Sequence, residues 1–329
     1  MDYFKSFSEM LFDPGEFNFT EKALELFYFQ ARHNRVYQAY INARGIQIDQ
    51  VKRLEQIPFL PVQFFKTHKV VCGNETDFND FYSSSGTTGS ITSRHYIWDE
   101  GFYLEHARRI FERRYGPLEN FHVLALLPAY LERKGSSLVA MANYFIQKSK
   151  SRHSGFYLYN YEDLKRKLMV LQESPKQILL FGVTFALLDF AELGLSGMDN
   201  LTVMETGGMK GRKREMIREE VHDILCRQLG VDAVHSEYGM TELMSQAYSS
   251  GQGKYQLPPT MQVFLRDMYD PFSVSKRSRG GVNIIDLANF HSCAFIETQD
   301  LGSYDDDGNL EILGRFDNSE IRGCNLMVN

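Results

Sequence analysis

Phe81-Tyr82-Ser83-Ser84-Ser85-Gly86-Thr87-Thr88-Gly89-Ser90 is the stretch whose reading decides the fold. From Ser83 onward it contains only Ser, Thr and Gly, and the two glycines sit three apart. Glycine opens backbone dihedrals closed to other residues and lets N–H groups approach a ligand closely. Consecutive N–H groups in such a loop make a concave anion site, and the flanking hydroxyls add donors. Clusters of this composition also occur as plain solvent loops. Here an apolar run precedes the loop and Arg94-His95-Tyr96 follows it, so positive charge sits beside it. The chemical reading is a loop that cradles a phosphate chain. It is not a Walker loop, which needs Gly-Lys-Ser/Thr after four spacers, because no lysine occurs between Lys69 and Lys134.

Working outward, the 329 residues suffice for a large buried core. An apolar share of 43% and a charged share of 24% are those of a globular chain. The net charge of −6 gives no electrostatic case for nucleic acid as a partner. The four cysteines, Cys72, Cys226, Cys293 and Cys324, show no CxxC spacing. Reduced thiols in a cytoplasmic setting fit them better than a zinc site or a disulfide framework. Met1-Asp2-Tyr3-Phe4-Lys5 lacks the pattern of a signal peptide, and no apolar run is long enough for a membrane span.

Apolar residues from Ala23 to Ile41 recur at helical spacing, which predicts one helix from Thr20 to Gly45. Ile57 to Lys66, broken by Pro58 and Pro61, predicts a buried extended connector. A helix is expected over Glu100–Tyr115, with Arg108, Arg109, Arg113 and Arg114 on its solvated face. Val123–Pro128, Ile178–Gly182, Leu201–Glu205 and Val231–His235 read as strands. Helices over 137–147, through Leu187 and Ala191, and over 212–229 alternate with them. That alternation predicts a mostly parallel α/β sheet. After Gly251 short alternating strands predominate, with a hairpin turn at Asp306-Asp307-Gly308-Asn309.

Three polar clusters fall where strands end, the place where open α/β sheets bind ligands. Thr206-Gly207-Gly208-Met209-Lys210-Gly211-Arg212 follows a strand and is read as opening a helix, whose N-terminal N–H groups favour anions. Ser236-Glu237-Tyr238-Gly239-Met240-Thr241-Glu242 offers an aromatic face for a purine and a carboxylate suited to magnesium. Thr298-Gln299-Asp300-Leu301-Gly302 and Gly314-Arg315-Phe316-Asp317 offer a carboxylate acceptor for a diol and a nearby cation. Taken alone, Asp300 also reads as a turn residue and Arg315 as half of a surface ion pair.

Together, Ser84-Ser85-Gly86-Thr87-Thr88-Gly89, Tyr238-Gly239-Met240-Thr241-Glu242, Thr298–Gly302 and Gly314–Asp317 resemble the ordered motifs of the adenylate-forming enzymes, the superfamily of acyl-CoA synthetases, peptide-synthetase adenylation domains and luciferase. The strongest likeness, over nearly the whole chain, is to LuxE-type acyl-protein synthetases. The resemblance implies an α/β fold like the superfamily's large domain, with mostly parallel sheets flanked by helices and a small β-rich subdomain. It divides the chain into a nucleotide- and acyl-binding core (1–250), a β-rich subdomain of the same unit (251–314) and a hinge-like tail (315–329). The superfamily's C-terminal small domain is expected to be absent.

The resemblance also implies roles. Ser83, Ser84, Ser85, Gly86, Thr88 and Gly89 would bind ATP phosphates, with Thr87 catalytic. Gly207 and Gly208 would belong to the adenine-binding segment, Tyr238 and Gly239 would lie against adenine, and Thr241 would contact the α-phosphate. Glu242 would act in catalysis and as the Mg2+ ligand. Asp300 would accept bonds from the ribose hydroxyls and Arg315 would reach the nucleotide. Cys324 matches the location of the LuxE-type acyl-carrying cysteine, where a thiolate acts as nucleophile. Two departures stand out. The loop continues Gly89-Ser90-Ile91-Thr92 where the superfamily has Gly-x-Pro-Lys, and the sequence stops at Asn329. The expected activity is ATP-dependent activation of a carboxylic acid, fatty by resemblance, with AMP as product and transfer to a thiol. An acyl-reductase or acyl-carrier protein is the expected partner. The alternatives are an acyl-CoA or acyl-carrier ligase that needs a separate C-terminal partner, and a catalytically degenerate scaffold of this fold.

Overall fold

The computed structural model describes residues 2–13, 15, 17–84, 92–128, 135–195, 197–207, 216–267, 274–275 and 279–315. The chain forms two compact units. One joins Met1–Phe78 to Pro259–Asn329, and the other is the continuous stretch Asn79–Pro258. The change of character near residue 250 therefore falls close to a crossing between units. Composition gave no sign that the first 78 residues share a unit with the last third.

The first unit begins with helices α1 (Asp2–Phe12), α2 (Phe19–His33) and α3 (Arg35–Ala43). The single helix expected over 20–45 is broken at Asn34, whose backbone is extended at φ −100° and ψ 107°. The Asn34 side chain accepts from Tyr37 N at 3.0 Å and so starts α3. Its Nδ2 donates to Ser292 O at 2.9 Å, and its backbone bridges to Cys72. An asparagine that hydrogen-bonds locally through its side chain competes with helix continuation, and here a partner far along the chain decides the outcome. The proline-broken connector forms a two-residue strand β1 (Leu60–Pro61), parallel to Ile296 and Glu297, and one turn of helix α4 (Phe64–Thr67).

The second unit opens with the hairpin β2 (Phe81–Ser83) and β3 (Arg94–Tyr96). Then come α5 (Glu100–Tyr115), β4 (Phe121–Leu126), α6 (Ser137–Lys148), β5 (Gly155–Tyr157), α7 (Tyr161–Leu171), β6 (Gln177–Val183), α8 (Thr184–Ala191), β7 (Leu201–Thr206), α9 (Arg218–Leu229), β8 (Val234–Tyr238), β9 (Ala247–Ser249) and β10 (Lys254–Gln256). Strands β5, β4, β6, β7 and β8 are parallel in that spatial order, and β9 and β10 continue antiparallel from β8. All six residues of β4 are buried, as a strand covered on both faces requires. Two boundaries differ from the sequence reading. Helix α9 starts at Arg218 rather than 212, with Ile217 extended before it. The strand expected over 231–235 runs from Val234 to Tyr238, so Tyr238 ends a strand instead of following one.

The chain then returns to the first unit as β11 (Met261–Arg266), β12 (Val274–Ser275), β13 (Arg279–Asp286), β14 (Phe295–Tyr304) and β15 (Leu310–Arg315). These pair antiparallel in the order β12-β11-β13-β14-β15, with β1 parallel beside β14. The turn expected at 306–309 joins β14 to β15, where Asp305 Oδ1 accepts from Asn309 N at 2.8 Å. Among the described residues no helix is long and apolar enough to cross a membrane.

Candidate active site

The phosphate-loop sequence sits on a hairpin. Ser83 pairs with Arg94 and Tyr82 with His95 across β2 and β3. Beyond them Ser84 N donates to Ser93 O at 3.1 Å, and Ser93 N donates to Ser84 Oγ at 3.0 Å. Ser83 N donates to Gly135 O at 2.7 Å. Both serines thus close the neck of the loop, while Ser85, Gly86, Thr87, Thr88 and Gly89 lie outside the described residues. His95 is fully buried, and its Nδ1–H donates to the Thr241 carbonyl at 2.8 Å. That bond ties the hairpin to the Tyr238–Glu242 segment across 146 residues of sequence.

That segment starts at the carboxyl end of β8. Thr206 pairs with Glu237 across β7 and β8, so Gly207 and Tyr238 leave neighbouring strand ends. Gly208, Lys210 and Arg212 lie outside the described residues. Residues 216 and 217 are not helical, so the 206–212 cluster does not run directly into α9. Thr184 Oγ1 sits 2.6 Å from Gly207 O and 2.9 Å from Glu205 Oε2, which fixes the end of β7. Tyr238 is mostly buried, with its ring 5.9 Å from that of Tyr255 and its hydroxyl donating to Met240 Sδ. A Cβ at Gly239 would meet Glu237 Oε1, so a side chain there would require the Glu237 carboxylate to shift. Thr241 is half-buried and Glu242 is buried.

Sequence reasoning missed the role of Glu237. It is only 6% exposed and accepts a hydrogen bond from Thr206 Oγ1. Burial pushes its carboxyl up to about 7; the Thr206 bond opposes that rise and the nearby Glu205 charge adds to it. Glu205 lies one residue before Thr206 and so projects from the opposite face. Burial raises Glu205 too, but His222, Arg218, Ser236 and Thr184 outweigh it and hold the group below its ordinary range. His222 Nε2 and Arg218 Nε stand 3.7 and 3.6 Å from Glu205 Oε1. Two carboxylates on neighbouring strands are thus driven apart. The available signal was an acidic residue beside a motif tyrosine at the end of a strand.

In the first unit, Asp300 on β14 and Arg315 on β15 are register partners, with Arg315 Nε 3.3 Å from Asp300 Oδ1. The Asp300 side chain is 7% exposed and that of Arg315 71%. Asp300 N donates to Thr298 Oγ1 at 3.0 Å, which anchors the aspartate backbone. Cys324 lies outside the described residues. Among the described residues no group of three or more His, Cys, Asp or Glu is gathered to hold a metal. The buried Glu242 carboxylate fits magnesium in the mode where phosphates and water supply the other ligands.

The fold is that of solved acid–CoA ligases. A 2-hydroxyisobutyryl-CoA ligase, in an open conformation with 2-HIB-AMP and CoA, superposes with TM-score 0.66 at 14% identity, over 91% of this chain and 69% of that one. ATP-bound MatB from Rhodopseudomonas palustris gives TM-score 0.53 at 17% identity, over 73% of this chain and 48% of that one. Among curated proteins, the long-chain-fatty-acid–luciferin-component ligase of Aliivibrio fischeri is 21% identical over 359 aligned positions, covering 96% of this chain and 90% of its own length. No protein-family model matches the chain. The resemblance to the adenylate-forming superfamily, and within it to LuxE-type proteins, holds across nearly the whole sequence.

Proposed function

We propose that this protein is an AMP-forming ligase that activates a carboxylic acid with ATP and passes the acyl group to a thiol. The observation that carries the reading is the bond from His95 to the Thr241 carbonyl. It holds the neck of the phosphate loop against the segment whose threonine and glutamate would face the α-phosphate. The acid is already ionised at neutral pH and needs no side-chain base. Its oxygen attacks the α-phosphorus, the bond to the β-phosphate oxygen breaks, and acyl-adenylate and pyrophosphate result. Backbone N–H groups and hydroxyls of the 83–89 loop and the Thr241 hydroxyl would stabilise the charge that develops. Glu242 is the residue that would hold magnesium, which supplies positive charge beside the phosphates. In the first unit, Asp300 is the proposed acceptor for the ribose hydroxyls, and Arg315 is its exposed companion.

For the second half-reaction, the Cys324 thiolate attacks the acyl carbonyl carbon, a C–S bond forms, and AMP leaves with the C–O bonding pair. The relative of Aliivibrio fischeri, by its name a ligase for a long-chain fatty acid, supports a fatty acid as substrate class. The 2-hydroxyisobutyryl-CoA ligase, which holds both 2-HIB-AMP and CoA, supports the alternative acceptor, CoA or a carrier thiol. The test is incubation with Mg-ATP and labelled acid, with hydroxylamine to trap acyl-adenylate and in a parallel reaction without it to detect acyl-protein, before and after Cys324→Ser. The reading expects acid-dependent AMP and acyl-hydroxamate from both proteins, and acyl-protein from the wild type alone. AMP release that ignores the acid overturns adenylation, and acyl-protein that persists in the serine variant overturns the role of Cys324.

A further inference from the structure

One face of the second unit's sheet carries polar groups that the proposed chemistry does not use. Glu237 on β8 and Tyr248 on β9 are register partners, so their side chains are neighbours on the same face. Gln246 lies two residues before Tyr248, and its Cγ is 3.5 Å from the point where a Gly239 Cβ would sit, the same point that Glu237 Oε1 crowds. Tyr248 Oη and Gln246 Oε1 are buried and have no hydrogen-bond partner among the described residues. Glu237 has one bond, from Thr206.

Helix α5 closes this face without satisfying it. Phe111 and Tyr115 set their rings 5.9 and 5.6 Å from Tyr248. Tyr103 turns its hydroxyl to Ser137 O at 3.3 Å, and His106 Nε2 pairs with Ser245 Oγ at 2.9 Å. Buried polar atoms are normally hydrogen-bonded, and leaving one unmet is costly. Two such groups, the Gln246 amide oxygen and the Tyr248 phenol, share one place with the singly bonded Glu237 carboxyl beside the Tyr238–Glu242 turn. What complements them is a group that donates hydrogen bonds.

We propose that Glu237, Gln246 and Tyr248 form a polar subsite that receives a hydrogen-bond-donating group, hydroxyl or ammonium, carried by the carboxylic acid. This rests on the adenylation reading, which brings the acid carboxylate to Thr241, and it narrows the substrate from any fatty or aryl acid to one bearing such a group. The elevated Glu237 carboxyl fits a site whose charge awaits a donor. A site built to meet a donor discriminates against the analogue that lacks it, because its own polar groups then stay unmet.

The experiment compares alkanoic acids with their hydroxy and amino counterparts of equal length. Two readouts are used, kcat/KM from exchange of labelled pyrophosphate into ATP and Kd from calorimetry, which needs no turnover. The expected result is a preference of at least about tenfold for one substituted series. Tyr248→Phe and, separately, Gln246→Met reduce that ratio severalfold, while circular dichroism confirms that both variants fold. Glu237→Gln weakens an amino-bearing acid more than a hydroxy-bearing one, which separates the two donors. Equal treatment of substituted and unsubstituted acids in both readouts overturns the subsite. A binding preference that Tyr248→Phe removes, with no exchange for any acid, keeps the subsite and overturns adenylation.

Discussion

Arg266 and Glu237 are both buried ionisable side chains packed against glycine, and the two units treat them oppositely. In the first unit, Arg266 Nη1 donates to Val282 O and Asn283 Oδ1, each at 2.9 Å, and Nη2 donates to Thr298 O at 2.7 Å. Glu297 brings a carboxylate to 3.8 Å. Gly280 and Gly281 make the room, since a Cβ on either would strike the Arg266 backbone or guanidinium. In the second unit, Glu237 is held under Gly239 with one hydroxyl for company. A buried charge whose bonds are filled fixes a scaffold, and one left short keeps capacity for something else. The first description fits the β-rich sheet and the second fits the strand ends where the candidate site lies.

The largest effect is expected where the bonds are full. Arg266→Leu leaves the carbonyls of Val282 and Thr298 and the Glu297 carboxylate without their cation. It should cost about 3–5 kcal/mol in denaturant unfolding. A loss below about 1 kcal/mol would break the contrast. Next comes Thr206→Val, which removes the one donor to Glu237. It should cost about 1–3 kcal/mol near neutral pH and move the Glu237 titration, read by carboxyl-labelled NMR, upward from its native position near 7.

The third prediction sharpens the same point through pH. The folded Glu237 titrates near 7, above its ordinary 4.5, so the native state holds the proton more tightly than the unfolded chain. Its contribution is intact below the lower value and is lost as pH rises through the upper one. The ionisable groups that feel its charge are Glu205, Tyr103, Tyr248 and Tyr255, and the tyrosines, all pushed up by burial, stay neutral throughout this window. Melting temperature should therefore fall between pH ~5 and ~8 in the wild type more steeply than in Glu237→Gln. Parallel curves would show that the carboxyl is not elevated. The smallest effect is expected at Arg315→Ala, below about 1 kcal/mol, because an ion pair with one exposed partner contributes little.

How much of this was legible in the sequence follows from range. Helix α5 over Glu100–Tyr115 and strands β4, β6 and β7 were readable because their apolar spacing is local. The break at Asn34 was not, because Ser292 and Cys72 decide it from far along the chain. The start of α9 was placed too early because a Gly-Gly segment after a strand imitates a helix N-terminus. The motif residues Tyr238, Thr241 and Glu242 were legible as a pattern, and the bond that ties Thr241 to His95 was not. Glu237 stands inside the same quoted segment, but only burial and register show that it is short of partners. Arg266 gave no signal, since its saturation depends on three strands meeting.

The most direct measurement is acid-dependent exchange of labelled pyrophosphate into ATP, with magnesium, for the wild type, Thr241→Ala and Glu242→Gln. The account predicts exchange that requires an acid and falls at least about a hundredfold in either variant, as loss of a group aimed at developing charge does. Folded wild-type protein that binds ATP yet exchanges no pyrophosphate with any acid would contradict it.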